Sequence, residues 1–328
     1  ERQRTFTAYF EDAGFDERPF AQAVVEQTLS EPCWLTFDDH ALLDVLPDVV
    51  AAQGEPFGST SVVAQWFVMR AAAEAGLKVM LDGQGGDEVL AGYRTTHGYR
   101  LADLLARGRL RQALAELRAF PEPKRALAVA VVTPFLPHSA RWLLRGRRSR
   151  GDLLVHPSLR ERTAPPAPPP SGRMPDRLRS QYHLILAQLG LPELLRYEDR
   201  NSMAHSLEGR VPFLDHRLVE LLYGLDARQL YERGTTKVVL RRALADLLPP
   251  AVAARRDKLG FVTPEQRFFD GRLGDLAEDI FRSPELRERG LVDGDEALER
   301  LRRHRAGSPA GFELWRALSV ELWARRYL

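Results

Sequence analysis

The chain has 328 residues, 44% of them hydrophobic, which suits one large or two modest domains with a sizeable core. Its 47 basic and 45 acidic residues leave a net charge of +2, so electrostatics give no case for a nucleic-acid partner. A single cysteine, Cys33, excludes an intrachain disulfide and a cysteine-based zinc site, and fits a reducing, cytoplasmic setting.

Arg4 to Phe10 (RTFTAYF) has the β-branched and aromatic content of a strand. Asp16 to Leu29 follows with helical spacing at Phe20, Val24, Val25 and Leu29. Cys33 to Phe37 reads as a second strand, His40 to Ala52 and Val62 to Ala75 as helices, and Leu77 to Leu81 as a third, buried strand. This alternation predicts an α/β fold with a doubly wound parallel sheet. Its first strand begins almost at residue 1, so an earlier strand is expected upstream. After Tyr93 the pattern turns helical and arginine-rich. Leu101 to Phe120 is amphipathic, and Leu127 to Leu136, about half the length that spans a bilayer, reads as a buried helix rather than a membrane segment. No secretory signal opens the chain. Gly146 to Gly151 reads as a solvated basic run and Pro165 to Pro170 as an extended linker. From Asp176 onward nearly everything reads as helix. Val219, Leu221, Leu222 and Leu225 line one helix, Val238 to Leu248 another, and Phe312 to Tyr327 a terminal one that packs Trp315 and Trp323. Three parts are expected: a partial nucleotide-binding sheet over 1–95, a helical insert and linker over 96–175, and a helical part over 176–328.

The chemistry concentrates in GLKVMLDGQGGDEVLAGY, Gly76 to Tyr93. An apolar strand breaks into a loop with Gly83, Gly85 and Gly86, and acids then open a helix. Glycines let backbone N–H groups approach a phosphate closely. A carboxylate beside a phosphate repels it unless a cation intervenes, so the acids of this loop suggest Mg²⁺. The plainer reading is a tight turn, capped by Asp82, followed by acids that favour a helix start.

LDGQGGDEVLAGY resembles the loop of the asparagine synthetase family, whose members carry SGEGxDE or DGQGxDE before a GGY or AGY helix start. RNSMAHSLEGRVPFLDHRLVELL (Arg200 to Leu222) and KVVLRRALADLLP with RRDKLGF (Lys237 to Phe261) are similar to that family too, in the same order. The resemblance covers most of the chain and weakens between about residues 96 and 180. The family's ATP loop, SGGxDS, and the N-terminal cysteine of its glutaminase domain do not occur here. The resemblance therefore implies the C-terminal synthetase portion of a longer enzyme, inactive by itself.

What the resemblance implies is ATP-dependent amidation of aspartate through a β-aspartyl-adenylate. Mg²⁺ assists, and ammonia comes from a glutaminase domain of the same full-length chain. Asp87 is then the Mg²⁺ ligand, and Asp82, Gly83, Gly85 and Gly86 contact the nucleotide, with Ala8 beside the adenine. Lys258 approaches the phosphates and the acyl centre. Lys237 opens the KxxLR helix, where touching phosphate and simply capping are both open. Gln84 replaces the glutamate of SGEGxDE members; glutamine only hydrogen-bonds, which puts a base role there in doubt. Glu208 and Arg210 read as a partly buried ion pair or as walls of the amino-acid pocket, and Asp215 as an N-cap. Ser59 and Thr60 either bind substrate or cap the helix near Ser61. A homodimer stays an open option. Two alternatives remain: a relative adenylating another carboxylate, β-lactam-forming or peptide-cyclising, and a degenerate domain that binds nucleotide without catalysis.

Overall fold

The computed structural model describes residues 2–11, 14–93, 95–119, 136, 154–162, 176–256 and 259–328. The expected features at Leu127 to Phe135, Gly146 to Gly151 and Pro165 to Pro170, and the position of Lys258, lie outside the described residues. Strand β1 (Arg4–Ala8) pairs in parallel with β2 (Glu31–Leu35), Phe6 opposite Cys33, and helix α1 (Arg18–Thr28) crosses between them. Helices α2 (Asp39–Gln53) and α3 (Ser61–Glu74) lead to β3 (Val79–Leu81). Then come α4 (Gly86–Val89), α5 (Thr95–Ala106), α6 (Leu110–Arg118), α7 (Pro157–Arg162), α8 (Arg177–Ala187) and α9 (Leu191–Ala204). Strand β4 (Glu208–Arg210) returns to pair in parallel with β3, Val79 opposite Glu208.

Local chemistry sets these limits. Helix α2 starts where the Asp38 carboxylate accepts from the Ala41 amide at 2.9 Å, and stops at Gly54, whose φ of +67° suits glycine. Between them Leu42, Val45, Leu46, Val49 and Val50 recur at helical spacing and are buried. They share one apolar core with α3 and with the C-terminal helices Glu265–Asp270, Arg272–Arg282, Gly294–Arg305 and Gly311–Tyr327. Trp315 lies at its centre, fully buried, and its indole N–H donates to the Phe57 carbonyl at 3.0 Å. The Phe57 amide in turn donates to Ser319 Oγ at 2.9 Å. Asp39 Oδ2 accepts from the Arg272 amide at 2.9 Å. The first and last parts of the chain are thus packed as one body. Among the described residues no helix is long and apolar enough to cross a membrane.

Four expectations change. The described strands form two separate parallel pairs and one short antiparallel pair (Tyr231–Glu232 with Thr235–Thr236), not one continuous sheet. Strand β3 is short, with Val79 39% and Leu81 62% exposed, because β4 covers only one of its edges. The amphipathic stretch from Leu101 divides into α5 and α6 at Gly108, where φ is +67°. The helix from Val238 ends at Ala243, and Leu247 is exposed; Pro249 and Pro250 just beyond disfavour continued helix.

The core reading is open to a direct test. Trp315→Ala should cost about 3–5 kcal/mol, the range for a large buried aromatic, with a further penalty from the unpaired Phe57 carbonyl. Leu247→Ala, at an exposed site, should stay within about 0.5 kcal/mol. Urea unfolding midpoints compare the two; equal shifts would displace Trp315 from the centre of the core.

Candidate functional site

A cavity of about 590 Å³ opens between β1, α3, α9, the loop after β3 and the segment Leu259–Val262. Its floor is the glycine loop. Asp82 closes an Asx turn, its Oδ1 accepting from the Gln84 amide at 2.8 Å, and its own amide donates to the Arg210 carbonyl at 3.0 Å. That bond carries the β3–β4 ladder into the loop.

The three glycines do different things. Gly85 has φ +86°, and a Cβ there would lie 2.2 Å from Leu214 Cδ2. A Cβ on Gly86 would press on the Phe213 ring at 3.3 Å. Both are glycines because Phe213 and Leu214 pack beneath them. Gly83 has nothing within 4 Å of a Cβ position, so it is the loop glycine that faces open space. Ala8 ends β1 opposite Leu35, while Phe6, two residues earlier, reaches the cavity wall.

Asp87 lines the cavity, and its Oδ1 is ion-paired with Lys237 Nζ at 2.8 Å. Lys237 itself sits at φ +55°, its amide donating to the Leu90 carbonyl at 3.2 Å, which fixes the turn that delivers its ammonium. Gly92 makes room for the pair, since a Cβ there would fall 1.7 Å from Asp87 Oδ1. Beside them Tyr93 donates its hydroxyl to the buried Glu88, and burial pushes the phenol far above its usual range. Among the described residues no three acidic, histidine or cysteine side chains gather around a common point. Among the described residues Asp87 faces Lys237 rather than a second ligating acid.

The other predicted residues are placed less centrally. Thr60 is fully buried. Its hydroxyl shares a 2.5 Å hydrogen bond with Thr263, and Glu265 accepts from its amide at 3.4 Å. Ser59 Oγ accepts from the Ser61 amide at 3.0 Å, just before the Thr60 N-cap of α3, and Ser61 reaches the cavity. Burial raises Glu265 to about 7, against the donors of Thr60 and Ser59. Glu208 and Arg210 do pair, at 2.8 Å, but with side chains 61% and 58% exposed. The expected partial burial is absent because the strand that carries them is solvent-facing. Asp215 caps its helix as expected, accepting from the Arg217 amide at 3.0 Å, and the Arg217 guanidinium holds its carboxyl far below the usual range.

Sequence reasoning missed the wall behind the loop. On α9, Tyr197, Glu198, Asn201 and Ser202 are buried together. Asn201 Nδ2 donates to the Val62 carbonyl at 2.9 Å and to Gln65 at 3.0 Å, and its Oδ1 accepts from Gln53 at 2.9 Å. This network ties α2, α3 and α9 into one rigid side. Glu198, 3% exposed, lies beside Asp82 and Gln84, and burial with the Asp82 carboxyl next to it drives its acidity well down. The sequence carried no clear signal for it, because the strand that holds Gly209 is Glu-Gly-Arg, without a β-branched or aromatic residue.

Gly92→Ala should force Asp87 aside, destabilise the chain by about 1–3 kcal/mol as overpacking does, and free the Lys237 amine. Mass-spectrometric acylation of the chain's four lysines reads this: Lys237 should react faster relative to Lys78 than in the unaltered chain. An unchanged ratio would mean that the pair does not shield Lys237.

Comparison with known proteins places this geometry. The family described as asparagine synthase matches residues 1–325. A putative asparagine synthetase (glutamine-hydrolyzing) of Mycobacterium tuberculosis is 31% identical over 97% of this chain and 50% of its own length. Asparagine synthetase (glutamine-hydrolyzing) 1 of Bacillus subtilis is 23% identical over 98% of this chain and 51% of its own. The chicken (Gallus gallus) asparagine synthetase (glutamine-hydrolyzing) is 35% identical over 30% of the chain and 16% of its own length. The chain spans about half the length of the bacterial relatives that it matches end to end. With its glycine loop, its Asp87–Lys237 pair and a match over nearly all its residues, the chain belongs to the asparagine synthase family.

Proposed function

We propose that the cavity is the adenylation site of an ATP-dependent, asparagine-forming ligase. The observation that carries this reading is the convergence of open-faced Gly83, Gln84 and Asp87, the last paired with Lys237, on one cavity. In the reaction a side-chain carboxylate oxygen of aspartate attacks the α-phosphorus of ATP, which enters as its Mg²⁺ complex, and pyrophosphate leaves. Ammonia, supplied from glutamine by a glutaminase domain of the longer protein, then attacks the acyl carbon; AMP leaves and one proton is lost to solvent.

The chain's residues serve the first step by charge and by backbone donors. Lys237 offers an ammonium where negative charge builds on the departing pyrophosphate, and Gly83 offers approach without a side chain. Asp82, through its Asx turn, aims the Gln84 backbone and side chain. Gln84 accepts no proton, so its part is to orient the acyl group. Lys258, by resemblance, belongs at the phosphates and acyl centre. Residues 1–95 and 176–328 form the synthetase body, in keeping with their shared core, and 96–175 is an insert.

The two parallel pairs read as halves of one doubly wound sheet. Phe6 of β1 and Met80 of β3 pack in one apolar cluster with Met69 and Ala72 of α3, while β1 and β3 each have a strand on one edge only among the described residues. A second reading has the same site adenylate a different carboxylate; the loss of a base at Gln84 favours it.

Pyrophosphate exchange into ATP by the longer protein that contains this chain tests both readings. Exchange should require aspartate, and Lys258→Arg should lower kcat about 100-fold, about 2.7 kcal/mol of transition-state stabilisation, because a planar guanidinium keeps charge but not geometry. Lys237→Met should lower kcat/KM for ATP by about 10–100-fold. Exchange driven by another carboxylate but not by aspartate would replace the first reading with the second. Absence of exchange with every carboxylate, with nucleotide still bound, would leave a binding domain.

A further inference from the structure

Behind the glycine loop lies a second, smaller construction that the adenylation chemistry does not use. Glu198 on α9 is almost fully buried, 3% exposed, and its Oε2 has no hydrogen-bond partner of ordinary geometry among the described residues. Its Oε1 lies where a Cβ on Gly209 would come within 2.9 Å. Gly209 stands in β4 between Glu208 and Arg210, and its φ is not in the left-handed region, so the backbone alone does not call for glycine there. Glycine inside a strand lowers stability, and one stands there when another group must come close. That group is the Glu198 carboxyl.

An ionised carboxylate in this position would be costly. Burying a charge without a partner costs far more than burying a neutral acid. The ionisable groups that bear on Glu198 are Asp82, from the loop after β3, and Asp199, on its own helix; both are acids. From β4 it meets Gly209, whose neighbours Glu208 and Arg210 are paired with each other on the surface. On the α2 and α3 side α9 presents Asn201 to the neutral amides of Gln53 and Gln65. Arg196 on the same helix pairs with Glu55. The Gln84 side-chain amide favours the charged form.

We propose that Glu198 is a positioning residue: its carboxylic acid, kept protonated in the space that Gly209 leaves open, donates to the Asp82 carboxylate and so fixes the loop that carries Asp82, Gly83 and Gln84 along the cavity. The direction of its pKa agrees, since burial and the neighbouring Asp82 both raise it far above that of an ordinary glutamate. Asp82 already accepts from the Gln84 amide through Oδ1. A proton from Glu198 gives the Asp82 carboxylate a second donor, in place of like-charge repulsion. The consequence for turnover rests on the function proposed above; the protonation and the packing do not.

Selective ¹³Cδ-glutamate labelling of the chain, followed by NMR titration, reads the proton directly. One glutamate signal should remain in the acid form past neutrality and vanish in Glu198→Gln. Ionisation of Glu198 in the ordinary carboxylate range would overturn the proposal. Stability supplies an independent sign. An acid whose folded pKa is raised binds its proton in the folded state after the unfolded chain has lost it. Stability therefore falls as pH rises from about 4.5 toward the raised value, and levels off above it. Glu198→Gln, a neutral donor of the same shape, should melt higher than the unaltered chain, with a Tm gap that widens from pH 5 to pH 8. A gap that stays constant with pH, or narrows, counts against a neutral acid.

The packing claim has its own cycle. Gly209→Ala should lower Tm in the unaltered chain and have little effect in a Glu198→Ala background. Equal shifts in both would remove Glu198 as the reason for the glycine. In the longer protein, Glu198→Gln should keep pyrophosphate exchange within about threefold while Glu198→Ala loses tenfold or more. Loss of activity in Glu198→Gln equal to that in Glu198→Ala would make Glu198 a base and refute the positioning role. If the unaltered longer protein shows no exchange, the function reading fails, and the titration and the cycle still decide the proposal.

Discussion

The structure depends most on the contact between the glycine loop and the segment Pro212–Leu214. Leu214 occupies the place of a Cβ on Gly85, and Phe213 presses on Gly86. The contact joins two motifs far apart in the chain, and the β3–β4 ladder leads into it through the Asp82 amide and the Arg210 carbonyl. With the loop seated on apolar side chains, its remaining freedom lies at Gly83 and Gln84, the part that meets the cavity. A loop floating in solvent would have to be ordered by its ligand, at about 1–2 kcal/mol of backbone entropy per residue. Packing from below removes much of that cost before any ligand arrives.

Some of this was legible in the sequence. The faces of α2 and α3 followed from apolar spacing, the Asp215 cap from its place before an apolar run, and the glycine loop from its punctuation. The reason for each glycine was not. Gly83, Gly85, Gly86 and Gly92 read alike in one dimension, yet one faces open space, two avoid a side chain packed beneath them, and the fourth admits the Asp87–Lys237 pair. Strand β4 was invisible because Glu-Gly-Arg has no β-branched or aromatic residue; its pairing with β3 comes from tertiary context. Glu198 was passed over because a charged residue on a helix ordinarily faces water. A single sheet does not follow from the alternation alone, which says which elements exist but not that every neighbouring strand lies among the described residues.

The Asp87–Lys237 pair shows how a charged cavity is kept from costing too much. Its side chains are 22% and 29% exposed, so water still reaches them and the full penalty of a dry ion pair does not apply. Its value lies in placement. The backbone holds Lys237 at positive φ, Gly92 clears the space, and the loop supplies Asp87 from below. Under the proposed function, a phosphate entering beside Asp87 would meet a lysine whose position is already set. It would then compete with Asp87 for that ammonium.

Two buried acids stand behind residues that line this cavity. Glu198 is held toward its neutral form beside Asp82, and Glu265, which accepts from the Thr60 amide, is raised to about 7 by burial. If both were ionised, the wall would repel a triphosphate by Coulomb terms of about 1 kcal/mol or more per close charge, even at high effective dielectric. Desolvation therefore does two jobs with one set of residues. It lets acids fill space and donate hydrogen bonds behind the wall, and it lowers the negative potential in front of it. The two are coupled in sign. Raising the pH through the elevated values returns charge to these positions and weakens the fold, and under the proposed function it would weaken polyanion binding through the same protons.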